Sequence, residues 1–196
     1  MATKRDRLSR LRERMEADSS LPLRAGATHL VFGEGSSDAA LYFLGEAPGQ
    51  AEDAQGRPFV GQAGRLLTRL LEGSGLRREE VYLSNLVRFR PPHNRPPTSA
   101  EIAAFSPYVD EELSILQPVL IVTLGRLATK KFLPREKMTQ VHGTLKTVTW
   151  QGKPVHIFPV YHPAAALRNP QIRLALAEDF KKIPSLLGEL LHPQKD

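Results

Sequence analysis

The spacing of apolar positions along the 196 residues changes from stretch to stretch, and each spacing predicts an element. Leu8, Leu11 and Met15 recur at three- and four-residue intervals, so residues 4–17 are expected to form a helix docked by one face. Residues 19–38 show no period and are expected to be mostly irregular. "AALYFLG" (39–45) is a continuous apolar run of strand length. "GQAGRLLTRLLEGSGL" (61–76) has helical spacing, with Leu66, Leu67, Leu70 and Leu71 on one face and Gly73 and Gly75 to end it. "EVYLSNLV" (80–87) and "PVLIVTLG" (118–125) read as further strands. Between them lies a proline- and arginine-rich loop (88–101), in which Thr98 and Glu101 have the spacing of a capping box. The helix they open runs to about Leu116. A short helix follows from Arg126. Residues 145–163 read as a hairpin around Gln151-Gly152 that feeds a last core strand. Residues 169–191 form a closing helix, expected to be interrupted or bent near Pro184.

Strands alternating with helices predict an α/β fold: a three-layer α/β/α sandwich around a central, mostly parallel four-stranded sheet. A single domain over 1–196 is expected, with residues 1–29 as an N-terminal helix and irregular segment packed on it; the length suits one substantial core. In such sheets ligands bind beyond the carboxyl ends of the strands. The segments richest in chemistry begin there: after Gly45, at Asn85, at Gly125 and at Tyr161-His162.

Charge narrows the partner. A formal net charge of +6 favours a polyanion, nucleic acid before an anionic membrane surface. There are no cysteines, which excludes disulfides and thiolate-bound metals. Six scattered histidines form no sequence cluster with acids, so no built-in metal site is expected. No apolar run reaches the roughly 18 residues that span a bilayer. The charged N-terminus lacks a signal-peptide core. A soluble, cytoplasmic protein is expected.

One stretch poses the chemical question. "LYFLGEAPGQAEDAQGRPFVGQAG" (41–64) puts Glu46, Glu52 and Asp53 on a glycine-rich loop at a strand end, inside a basic chain. Glu52 and Asp53 also suit the start of a helical turn, where acids are favoured by the dipole.

Four stretches in order, "GEAPGQAED", "GRPFVGQAGRLL", "SNLVRFRPPHNRPP" and "YHPAAALRNP", resemble family 4 of the uracil-DNA glycosylase superfamily. The resemblance covers roughly Leu30 to Leu190. It implies an enzyme that flips uracil out of DNA and hydrolyses its N-glycosidic bond, leaving an abasic site. Glycosylases extrude their base into a pocket and must stabilise departing charge. The resemblance places Glu46 where a carboxylate assists the attacking water and the cationic sugar, with Ala47 where other members carry a catalytic acid or amide. Glu52 matches a position near the C5 edge of uracil, Phe59 a ring that stacks on the base, and Asn85 the amide that reads O4 and N3–H. His162 matches a donor to O2 of the leaving uracil. "AAALRNP" resembles a loop that enters the minor groove, with Leu167 or Arg168 filling the gap. Arg88, Arg90 and Arg95, on a loop stiffened by prolines, suit phosphate contacts.

The chain departs from family 4 in one respect. That family normally carries a four-cysteine iron–sulfur cluster, and the corresponding positions here read Asp18, Leu21, Phe89 and Phe105. None supplies a thiolate, so no cofactor is expected. Leu21, Phe89 and Phe105 are expected to form an apolar plug in its place. His93, in "PPHNRPP", raises a second departure, because a related branch bonds covalently to DNA through a histidine in this loop. The basic insert that accompanies that chemistry is missing. Two other functions remain open on the residues alone: a damaged-DNA-binding protein that has lost hydrolysis, and an enzyme of free nucleosides. The partner expected is uracil-containing DNA, bound by a monomer.

Overall fold

The structure, a computed structural model, describes residues 2–193; Met1 and 194–196, the extremities of the expected 1–196 domain, lie outside it. The strands are β1 (Glu34–Gly35), β2 (Leu41–Gly45), β3 (Tyr82–Asn85), β4 (Leu120–Leu124), β5 (Lys146–Trp150) and β6 (Lys153–Val160). They form one sheet in the order β1-β3-β2-β4-β6-β5. The expected four parallel strands are its centre: β3, β2, β4 and β6 pair in parallel. The sheet is nevertheless six-stranded, because β1 and β5 add an antiparallel strand at each edge. β1 falls in the segment read as irregular; two residues are too few to show a period. β5 and β6 are joined by Gln151 and Gly152, both at positive φ (49° and 76°), as a tight two-residue hairpin requires.

The central strands are buried on both faces, as parallel strands under crossover helices are. In β2, Tyr42 and Leu44 face one layer while Leu41 and Phe43 face the other. The first layer holds α1 (Lys4–Ala17), α4 (Ser99–Leu116) and α5 (Arg126–Phe132). The second holds α3 (Gln62–Gly73) and α8 (Pro170–Leu191). Short helices α2 (Gln50–Gln55), α6 (Met138–Val141) and α7 (Pro163–Ala166) occupy the connections.

The helix ends follow the expected chemistry. Thr98 and Glu101 form the capping box of α4, and Thr3 with Asp6 forms another for α1. Leu8, Leu11 and Met15 of α1 are buried in the first layer, and Lys4 Nζ donates to the Leu116 carbonyl at the end of α4 (2.8 Å). The expected interruption at Pro184 does not occur: α8 is continuous. Leu176, Phe180 and Ile183 bury one face of it against the sheet, and that packing outweighs the lost backbone hydrogen bond.

Candidate active site

The carboxyl ends of β2, β3, β4 and β6 open into one cavity of about 610 Å³. Glu46 and Ala47 come from the turn after β2, Asn85 from the last residue of β3, Gly125 and Arg126 from the turn after β4, and Tyr161 and His162 from the end of β6. Glu52, from α2, and Phe59, from the loop that follows, complete the wall. In-register pairing explains part of the convergence, since Gly45 sits directly opposite Asn85 across β2 and β3.

Phe59 and Asn85 meet at Gly45. A Cβ on Gly45 would lie 2.4 Å from Asn85 Oδ1 and 2.5 Å from the tip of the Phe59 ring, so only glycine fits. Asn85 is 2% exposed, and its Oδ1 is shut off from water with no hydrogen-bond partner. An orphaned acceptor of this kind costs about 1–3 kcal/mol until a donor arrives. The second close approach is at Gly125, where φ is 93° and a Cβ would meet Glu46 Oε1 at 2.7 Å and His162 Cβ at 3.0 Å. Glu46 and His162 therefore flank one glycine from two strand ends.

Burial shifts Glu46 and His162 in opposite directions. Glu46 Oε1 accepts from the Leu127 backbone N–H at 3.0 Å. Burial raises its pKa, an effect partly countered by that hydrogen bond and by the Arg126 charge. His162 Nδ1 accepts from the Ala164 N–H at 3.1 Å, so in the neutral ring the proton sits on Nε2. Desolvation lowers the His162 pKa to about 4, and the nearby Glu52 charge opposes the shift only partly. The histidine is thus a neutral donor.

The two acids of α2 are largely committed to backbone. Glu52 Oε1 accepts from the N–H groups of Val60 (2.9 Å) and Gly61 (2.7 Å), and its Oε2 accepts from Gly49 (3.2 Å). Glu52 thereby ties the Phe59 loop to α2 while standing in the cavity wall. Asp53 is buried and accepts from Thr28 (2.8 Å) and His29 (3.3 Å), an anchor for the N-terminal segment.

The expected DNA contacts separate. Arg95 and Arg168 reach the cavity rim. Arg95 is braced by Glu101, which it holds down to a pKa of about 2. Arg90 donates to Asn94 Oδ1 (2.7 Å). Leu167 is 44% exposed where α7 gives way to α8. Arg88 requires a correction. It is 1% exposed and points inward, donating to Glu112 Oε2 (2.7 Å) and to Ser84 Oγ, while Tyr42 donates to the same carboxylate (2.5 Å). Its partner Glu112 lies on α4, 24 residues away, and no local pattern announced it; a fully desolvated guanidinium cannot touch a phosphate. His93 does not line the cavity. Arg126 was missed by the sequence reading, although its place directly after the β4 strand end was the available signal.

Residues 32–183 match the family model of the Uracil DNA glycosylase superfamily. This chain belongs to that superfamily. Among its relatives is a type-4 uracil-DNA glycosylase of Saccharolobus solfataricus, 48% identical over 81% of this chain and 76% of that protein. Another, from Sulfurisphaera tokodaii, is 44% identical over 92% of this chain and 85% of its own length. A third, from Thermotoga maritima, is 40% identical over 95% and 98%. The iron–sulfur cluster associated with family 4 does not fit the residues present. Asp18 bonds Tyr108 (2.6 Å) and Ser20, and Leu21, Phe89 and Phe105 are buried together in the first-layer core. Among the described residues, no group of three or more His, Cys, Asp or Glu could hold a metal ion, and no helix is long and apolar enough to cross a membrane.

Proposed function

We propose that this uracil-DNA glycosylase superfamily member excises uracil from DNA by simple hydrolysis, with the following division of labour. The extruded base stacks on Phe59. Asn85 reads it: Oδ1 accepts N3–H and the amide nitrogen donates to O4, a pattern that cytosine reverses. The unpartnered Oδ1 supports this reading, because a site with a waiting acceptor rejects bases that cannot satisfy it. Glu52 and Ala47 border the base, with Glu52 at its C5 edge, where a thymine methyl would collide.

Glu46 orients the attacking water. Its Oε1 is fixed by the Leu127 amide, which leaves Oε2 for the water, and a raised proton affinity suits a general base. As the bond to C1′ lengthens, positive character on the sugar is stabilised by the same carboxylate and negative charge collects on uracil O2. His162 Nε2–H donates to that oxygen. A neutral, preoriented donor stabilises charge that exists only in the transition state, and such donors are worth roughly 10²–10³ in rate. Water adds to C1′ and gives one proton to Glu46, uracil departs as the anion and takes up a proton from solvent, and an abasic site remains. Leu167 and Arg168 fill the vacated stack, and Arg90 and Arg95 contact phosphates. One cavity and one wedge suffice for a monomer acting wherever the cell keeps its DNA.

The observation that carries this reading is the convergence of Glu46, Phe59, Asn85 and His162 on one cavity from separate strand ends. Release of free uracil from a labelled uracil-containing oligonucleotide tests it. Tight DNA binding with no release would instead indicate a damage-binding protein.

A further inference from the structure

We infer that Arg78, outside the cavity, is a positioning residue that holds Phe59 in the conformation needed to stack on the base. The inference rests on the stacking role given to Phe59 above. Phe59 has φ 53°, in the left-handed region that a bulky residue leaves unless its surroundings hold it there. Arg78 supplies one side of the hold. Its Nη2 donates to the Pro58 carbonyl at 2.7 Å and its Nη1 to the Phe59 carbonyl at 3.1 Å. Nη1 also lies 3.3 Å from Thr68 Oγ1 on α3, whose Gly64 packs directly on the Phe59 peptide. Glu52 supplies the other side through the amides of Val60 and Gly61. Carbonyls 58 and 59 and amides 60 and 61 are thus fixed from opposite directions.

The guanidinium is itself held. Glu34 of edge strand β1 lies 3.8 Å from Arg78 Nη2 and is paired with Arg57 at 2.8 Å. The Arg78 side chain is 20% exposed, so its carbonyl contacts are shielded from competing water. A planar fork grips two successive carbonyls at once; an ammonium cannot.

Single-turnover excision by wild type, Arg78→Ala, Arg78→Lys, Phe59→Ala and the Phe59→Ala/Arg78→Ala double variant tests the inference, with unfolding of each followed in parallel. Arg78→Ala is expected to slow excision about ten- to hundredfold, the range of a lost base–aromatic stack. Arg78→Lys is expected to recover part of that loss. In the double variant the Arg78 change is expected to add almost nothing to the Phe59 loss, as for two residues acting through one contact. Equal effects of the Arg78 change with and without the ring, or no effect in either, overturn the positioning role. An unimpaired Phe59→Ala enzyme overturns the stacking reading and the inference with it. Should Arg78→Ala fail to fold, Arg78→Lys and Arg78→Gln carry the same comparison.

Discussion

The rings of Phe89 and Phe105 meet edge to face, with centroids 6.1 Å apart. One belongs to the arginine-rich loop and the other to α4, so the contact folds the loop back onto the helix that follows it. Arg24 lies over the Phe89 ring at 5.6 Å, and Asp18 bonds Tyr108 of the same helix. Carbon packing and one carboxylate–phenol bond thus connect the N-terminal segment, the loop and α4.

Phe89→Ala and Phe105→Ala are each expected to cost about 3–5 kcal/mol of stability, the range for truncating a buried aromatic. Uracil release by the folded fraction should persist, since neither ring lines the cavity. Denaturant unfolding checks the first statement, and losses below about 1 kcal/mol for both variants would remove the plug.

Glu112→Ala is expected to destabilise by about 3–5 kcal/mol, because it strands a buried guanidinium. Arg88→Met should also destabilise, yet leave the salt dependence of DNA binding unchanged. Arg168→Ala should do the reverse, reducing the slope of log affinity against log salt by about 1. Binding titrations across salt concentrations separate the two.

Much of this arrangement was legible in the chain. The four parallel strands could be read because each is a bounded apolar run, and the residues that line the cavity could be read because they sit where those runs stop. Arg88 could not. A sequence shows a charge on a proline-rich loop; it does not show Glu112 arriving from α4 to neutralise it, or Ser84 and Tyr42 hydrogen-bonding to the pair. For a related reason Pro184 does not interrupt α8, since the packing of Phe180 and Ile183 is tertiary. The role of Arg78 was hidden because it binds carbonyls, which every residue has.

Gly45→Ala is expected to abolish most activity and to cost about 1–3 kcal/mol of stability through overpacking. The added methyl would press on both Asn85 Oδ1 and the Phe59 ring, taking space meant for the base. A rise in KM alongside the fall in kcat, measured at a temperature where the variant remains folded, is the expected signature. Full activity would show that the base lies elsewhere.

The acid side of the pH–rate profile is expected to belong to Glu46. Its pKa is raised by burial, so activity should fall, as pH drops, sooner than an ordinary carboxylate would dictate, and Glu46→Gln should abolish that dependence along with most of the rate. His162, with its pKa lowered to about 4, stays neutral throughout that range. Its linkage to folding has the opposite sense from a paired histidine. The unfolded chain takes up this proton first, so the stabilisation is complete above the ordinary value of 6.5 and is lost as pH falls from there towards 4. Wild type should lose more stability over that window than His162→Gln, as measured by unfolding at several pH values.

The order of strands has a consequence for synthesis. Glu46 and Asn85 leave the ribosome early, but His162 sits at the tip of β6, which docks beside β4 only after most of the polypeptide has emerged. On the role proposed for His162, a nascent chain should not begin cutting bases while it is still short, and truncation products ending before that strand are expected to be inert.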